Sequence, residues 1–157
     1  MYSYTDNNRN DDISLHDCRA TEITVKEGYL SFLFEKGFWV LESNRNNYNE
    51  CISYTDKSEV KFKTLSKDTE SDVTVYIFTD IKESDKSIRE TLTLNSLKEM
   101  LDNGMELEFL YSYRGYNSYI FECWLWFDYE PYHKECVLII SAEDAVYSWN
   151  ELFKEDA

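Results

Sequence analysis

The chain has 157 residues, enough to bury a sizeable core and right for one domain, and its 43% hydrophobic and 30% charged residues exclude a disordered chain. A formal net charge of −15 disfavours direct contact with nucleic-acid phosphates or anionic lipid and favours a basic protein partner, while also serving solubility. Aromatic residues reach 17% (13 Tyr, 9 Phe, 4 Trp), which leans toward half-buried strands, and 4 Gly and 1 Pro imply turns built from Asn, Asp and Ser.

Residues 1–12 are polar throughout and read as a flexible arm ahead of a single globular domain over 13–157. Leu15, Ile23 and Val25 fall on one side of an extended segment, and His16, Cys18 and Ala20 on the other. Glu27-Gly28 turns the chain into a strand at 29–34, and Glu35-Lys36-Gly37 turns that into 38–41, an antiparallel meander. An Asn-rich loop at 44–49 is followed by a short strand at 52–54 and a strictly alternating one at 59–63. Residues 72–79 are apolar on both faces, as expected at the centre of a sheet.

Leu97, Met100 and Leu101 predict a helix over 94–104, capped by Asn95 or Ser96 and ended by Asn103-Gly104. Met105, Leu107, Phe109 and Tyr111 then alternate with Glu106 and Glu108, predicting a strand with one solvated acidic face. After a turn at Arg114-Gly115, a strand over 117–129 puts Tyr119, Phe121, Cys123, Leu125 and Phe127 on one face and Trp124 and Trp126 on the other. Glu130-Pro131 breaks it, and 136–140 reads as a buried strand. Ser141 and Asp144 resemble a capping box, and Ala145, Val146, Trp149, Leu152 and Phe153 sit at helical spacing, so a second helix is expected there, with an edge strand at 146–149 as the alternative. The fold class is mainly β (α+β): an antiparallel sandwich or partly open barrel of about eight strands with one or two helices.

The cysteines are Cys18, Cys51, Cys123 and Cys136. Residues 1–12 hold no apolar leader segment, and no apolar run approaches the roughly 20 residues of a membrane helix, so reduced thiols in the cytoplasm are expected. His16 with Cys18, and His133 with Cys136, would make a Cys2His2 zinc site if the two segments lay side by side. The Cys-x-x-Cys spacing that makes such motifs specific is absent, and buried structural thiols are the plainer expectation. Cysteine catalysis would need an electropositive setting, which the surrounding charge opposes. No phosphate loop, nucleophile elbow or metalloprotease motif occurs, so neither a catalytic residue nor a cofactor is expected.

Tyrosine and tryptophan crowd residues 111–132. They either pack in a core or form a recognition surface, since such side chains give large contact area at low entropic cost. The candidate binding residues are Trp124 and Trp126 with Glu122 and Asp128 on their face, Tyr116 in the turn, and Arg114 as a polar anchor.

The runs Leu15-His-Asp-Cys-Arg19, Gly28-Tyr-Leu-Ser-Phe32 and Gly37-Phe-Trp-Val-Leu41 resemble small acidic domains of Gram-positive bacteria, some of them similar in size and charge to immunity proteins of bacterial toxin systems. The resemblance is carried by residues 13–42 and brings no catalytic residues. It implies a non-enzymatic module masking a basic partner. The alternatives are a DNA-mimic inhibitor of a nucleic-acid-binding protein, and a carbohydrate binder or enzyme using the aromatic face. In structural terms, Asp17 and Arg19 are expected to pair laterally with neighbouring strands and fix their register.

Overall fold

The computed structural model describes residues 1–155 and is mostly β. In chain order the strands begin with β1 (Tyr4–Asp6), β2 (Ile13–Ser14), β3 (Cys18–Ala20), β4 (Glu22–Lys26), β5 (Tyr29–Phe34), β6 (Trp39–Val40) and β7 (Ser53–Thr55). β8 (Ser58–Thr64), β9 (Val73–Asp80) and β10 (Ser87–Leu92) precede helix α1 (Leu94–Asp102). β11 (Glu106–Gly115), β12 (Ser118–Trp126), β13 (His133–Trp149) and β14 (Leu152–Lys154) follow it.

The organising element is β13, 17 residues long. Its first half lies between β12 and β9, and its second half between β8 and β1. The register shifts between Ala142 and Asp144, where pairing with β8 begins; such irregularities bend and twist a strand. One antiparallel sheet of ten strands is thereby divided into two halves, along the path β3-β11-β12-β13-β8-β5-β4 with β9, β10 and β1 attached. The path does not close into a barrel: Thr21 carries the chain from edge strand β3 to edge strand β4, donating its N–H to the Leu33 carbonyl at 2.9 Å. A second sheet, β14-β7-β6-β2, has four strands.

The core forms where the inner faces of the two halves meet. Phe109 of β11 meets Phe32 and Phe34 of β5 at 5.4 and 5.5 Å between ring centroids, and Phe62 of β8 meets Phe121 of β12 at 5.8 Å. These are edge-on or tilted contacts, the arrangement the ring quadrupole favours. Leu94, Leu97 and Leu101 of α1 join this core. The Thr93 side chain caps the helix by accepting from the Ser96 N–H at 3.0 Å, so the cap precedes Asn95 and Ser96; Leu94 is already helical and buried.

Several expectations are corrected. Residues 1–12 are not a free arm: β1 pairs with β13 from Tyr4 opposite Trp149 to Asp6 opposite Tyr147, and Asn8 and Asp12 are buried. Asn8 donates to the Ile13 carbonyl and accepts from the Ile13 N–H, and Asn44 donates to Asp12, so polar side chains satisfy this segment's backbone. The expected C-terminal helix is the second half of β13 plus β14, because Ala145, Tyr147 and Trp149 alternate inward at period two. Among the described residues there are fourteen strands rather than about eight, six of them only two or three residues long. β10, which follows an exposed turn and is exposed along most of its length, carries no periodic signal and went unpredicted.

Candidate functional site: an uncovered aromatic sheet face

Along β12 the burial alternates as the sequence implies, with Tyr119, Phe121, Cys123 and Leu125 inward and Glu122, Trp124 and Trp126 outward. The alternation of β11 is interrupted. A bulge between Phe109 and Tyr111 flips the parity, so Tyr111 and Tyr113 come out on the same face as Glu106 and Glu108. Tyr111 stands opposite Glu122 and Tyr113 opposite Ile120. The bulge is pinned from outside the hairpin: the Asp17 N–H donates to the Phe109 carbonyl at 2.8 Å, and His16 Nδ1 lies 2.6 Å from the Leu110 carbonyl, a contact that puts the proton on Nδ1.

On this face Trp124 and Trp126 meet at 5.9 Å and 74°. His133, directly opposite Trp126 in register, packs at a tilt against Trp124 at 4.4 Å and Trp126 at 4.9 Å. The Trp126 Nε1–H donates to Glu108 Oε1 at 2.9 Å, and the Arg19 guanidinium lies 4.4 Å over the Trp126 ring. Arg19 also reaches Glu108 at 3.6 Å and Glu106 at 3.9 Å. Glu108 is therefore not a solvated carboxylate as expected; it is 9% exposed and fixes both a tryptophan and an arginine. Arg19 does pair laterally across strands as expected, whereas Asp17 lies just before β3 with a φ of 62° and contacts His16.

Continuing outward, Trp124 faces Glu135, and Glu122 faces Val137, which in turn faces Tyr76 of β9. Around the rings stand the carboxylates of Glu106, Glu108, Glu122 and Glu135, with Arg19 over Trp126 and, further along the same face, Arg89 over Tyr76. Helix α1 makes its contacts with β4, β9 and β11 and its leucines join the inner core, so it does not cover this face.

The other candidates lie elsewhere. Arg114 stands opposite Tyr119 on the inner side of the sheet and donates from Nη1 to the Asn8 carbonyl at 3.3 Å, so it anchors the N-terminal segment rather than the tryptophan face. Tyr116 is 95% exposed at the β11–β12 turn, and Asp128 sits in the loop after β12, which ends at Trp126. The four zinc candidates do not converge: His133 points outward and Cys136 inward from the same strand, Cys136 stands opposite Cys123, and His16 is exposed beside Leu110. No group of three metal-ligating side chains forms among the described residues.

Burial pushes the Cys18 thiol up to about 12, opposed by a Trp39 backbone hydrogen bond and assisted by Asp17 and Glu108. Burial likewise pushes Cys136 up to about 12 and Cys123 well above the ordinary thiol value. These thiols are held in the protonated form, which is not nucleophilic.

A cleft of about 490 Å³ adjoins the face and brings together the two ends of the motif-bearing segment, Asp17-Cys18-Arg19 and Gly37-Phe38-Trp39. Gly37 adopts a φ of +77°, and a Cβ there would run into the Thr55 carbonyl oxygen, so only glycine brings the turn this close to β7. The Phe38 N–H donates to Thr55 Oγ1 at 2.9 Å and fixes the approach.

Sequence reasoning did not assign His133, Arg19 and Glu108 to the tryptophan face. Each reaches it from a different strand, and the only available signal, the parity of His133 relative to Cys136, has meaning once the β12–β13 register is known. Searches against protein-family models, curated proteins and solved structures find no match to the chain.

Proposed function

We propose that this protein is a non-enzymatic binding module of the immunity or antitoxin kind, masking a basic protein partner with the outward face of β11, β12 and β13. The observation that carries this reading is the preorganised aromatic face itself. Trp126 is fixed by Glu108 and Arg19, Trp124 by His133, and Tyr111 and Tyr113 extend the same face opposite Glu122 and Ile120 at 58% and 55% exposure. Rings already held in place lose little entropy on binding, and Tyr and Trp are the residues that dominate interface energetics. The surrounding glutamates and the net charge of −15 steer a basic surface toward it. Protonated, buried thiols support a role in recognition over one in thiol chemistry, and they fit a reducing, cytoplasmic setting. We read the two packed halves of the large sheet as a sandwich whose outer aromatic face is the working surface.

The test is capture with immobilised protein at low and high salt, comparing wild type with Glu122→Gln/Glu135→Gln and identifying the captured species. A basic protein retained at low salt by wild type, and lost both in high salt and in the double variant, is the expected result. Retention indifferent to the two glutamates removes the proposal.

A further inference from the structure

We infer that the cleft between β3, the turn at 35–38 and β7 is a receptor for a single guanidinium side chain, seated in the corner formed by Trp39 and Tyr54. The inference rests on the partner reading above only in taking that side chain to be an arginine of the basic partner.

Trp39 and Tyr54 stand opposite each other on β6 and β7, with ring centroids 6.1 Å apart and planes at 76°. Both line the cleft, Tyr54 being 37% exposed. Two rings at such an angle form a corner in which a planar cation can lie on one face and touch the edge of the other. Tyr54 is backed at 5.4 Å by Phe153 of β14, so its ring is supported in position. Guanidinium groups are weakly hydrated and stack on aromatic faces more readily than ammonium groups.

The charges at the rim complete the case. Asp17, Glu35 and Glu106 line the cleft, with Arg19 and Lys36 as the cations. Arg19 is committed to Glu106, Glu108 and the Trp126 ring. Glu35 has only a loose pair with Lys57 at 3.4 Å, both more than half exposed, which screens it little. Asp17 has His16 Nε2 at 3.4 Å, with both side chains at least half exposed, a contact that solvent screens. Asp17 and Glu35 thus line the same cleft as the aromatic corner with only solvent-exposed partners, and among the described residues Lys36 is the lining cation that makes no ion pair. The molecule already stacks guanidinium groups on its own rings: Arg19 lies over Trp126 beside Glu108, and Arg89 lies 4.5 Å over Tyr76. Among the described residues, no cation of the chain stacks on Trp39 or Tyr54 in this way.

The experiment follows the Trp39 indole N–H resonance of isotopically labelled protein during titration with N-acetyl-arginine amide, N-acetyl-lysine amide and N-acetyl-citrulline amide. The expected result is a saturable shift with the arginine amide, a weaker response with lysine and none with citrulline, which keeps the shape but loses the charge. Tyr54→Thr should weaken binding about two- to fivefold, as loss of one cation–π contact implies. Asp17→Asn and Glu35→Gln should each weaken it about twofold, and Lys36→Gln should strengthen it about twofold. The gain of function in Lys36→Gln needs no loss of fold to interpret. An equal response to citrulline or lysine, or a Lys36→Gln titration that superimposes on wild type, overturns the inference. Glu122 and Glu135 lie outside the cleft, so the two readings fail separately. Arginine amide binding without capture of any basic protein removes the partner reading alone, and capture without arginine amide binding removes the cleft alone.

Discussion

The two faces of β12 use the same kinds of residue for opposite ends. Inward, Phe121 meets Phe62 and Phe109 at 5.8 and 5.1 Å, and the layer is completed by Phe32 and Phe34, all of them 2% exposed or less. Outward, Trp124 and Trp126 meet each other and His133, and Trp126 also meets the charged groups of Glu108 and Arg19. The inner rings hold one another and exclude water. The outer rings are held by Glu108 and Arg19 and still present area to solvent. An aromatic residue in this protein is thus core or surface according to its parity, and the bulge after Phe109 decides the parity of the tyrosines.

The largest way to separate the faces is alkali. Below the ordinary thiol value of 9.0 the inner groups are protonated whether the chain is folded or not. Burial holds Cys18 and Cys136 protonated up to about 12, and Tyr147 likewise up to about 12 from its usual 10.0. From pH 9 upward the unfolded chain releases thiol protons that the folded chain keeps, so stability, fully present below that point, falls as pH rises toward 12. The slope should approach about 1.4 kcal/mol per pH unit for each fully buried thiol, somewhat less for the partly accessible Cys18. Denaturant unfolding between pH 8 and 11 measures it, and Cys136→Ala should flatten the curve. A stability profile that stays level through pH 11 would contradict the claim that the inner face is dry.

Phe109→Ala comes next. It removes a ring packed against Phe32, Phe34 and Phe121 and should cost about 3–5 kcal/mol in equilibrium unfolding. Two positions away, across the bulge, the same truncation should be nearly silent. Comparable losses at Phe109 and Tyr111 would show that the bulge does not reassign the faces.

How much of this is legible in the sequence depends on which interactions are local. The alternation of 118–126 gives both faces of β12, because strand parity is a property of consecutive residues. The helix expected over 94–104 from Leu97, Met100 and Leu101 is readable for the same reason, and α1 spans Leu94–Asp102. The bulge is not: Leu110 is chemically ordinary, and what holds it out of register is Asp17 and His16, some ninety residues away in the chain. Glu108 fails to announce itself as buried because its partners, Arg19 and Trp126, come from two other strands. The C-terminal segment misleads since its inward residues, Ala145, Tyr147 and Trp149, share a stretch with apolar Val146 that also satisfies a helical period. The pairing partners on both sides, β8 and β1, settle it as strand.

Glu108 offers an intermediate case between the faces, charged yet buried. Glu108→Ala takes away the acceptor of the Trp126 Nε1–H and one partner of Arg19. Leaving that donor without its acceptor should cost about 1–3 kcal/mol, and Glu108→Gln, which keeps an acceptor oxygen, should recover most of it. The Trp126 indole resonance reports the lost hydrogen bond independently of stability. If Glu108→Gln and Glu108→Ala are equally damaging, the charge on Arg19 matters more than the tryptophan contact.

The smallest effect on stability carries the greatest weight for function. Tyr111 and Tyr113 are more than half exposed and reach the outer face only through the bulge. Tyr111→Ser/Tyr113→Ser removes two rings that the fold barely uses, so unfolding free energy should change by no more than about 0.5 kcal/mol per site. The same pair extends the outer face beyond Glu122, and truncating a tyrosine that is an interface hot spot costs about 2 kcal/mol or more of binding. Stability and capture of the proposed basic partner should therefore come apart: unfolding curves that superimpose on wild type, with retention on the column lost. Proline or charge substitutions at these positions would disturb the β11–β12 pairing and blur that distinction, whereas serine leaves every backbone hydrogen bond available. Retention undiminished in the double variant would mean that the exposed rings serve solubility of the strand edge or nothing at all, and the outer face would lose its claim to be where this molecule meets another.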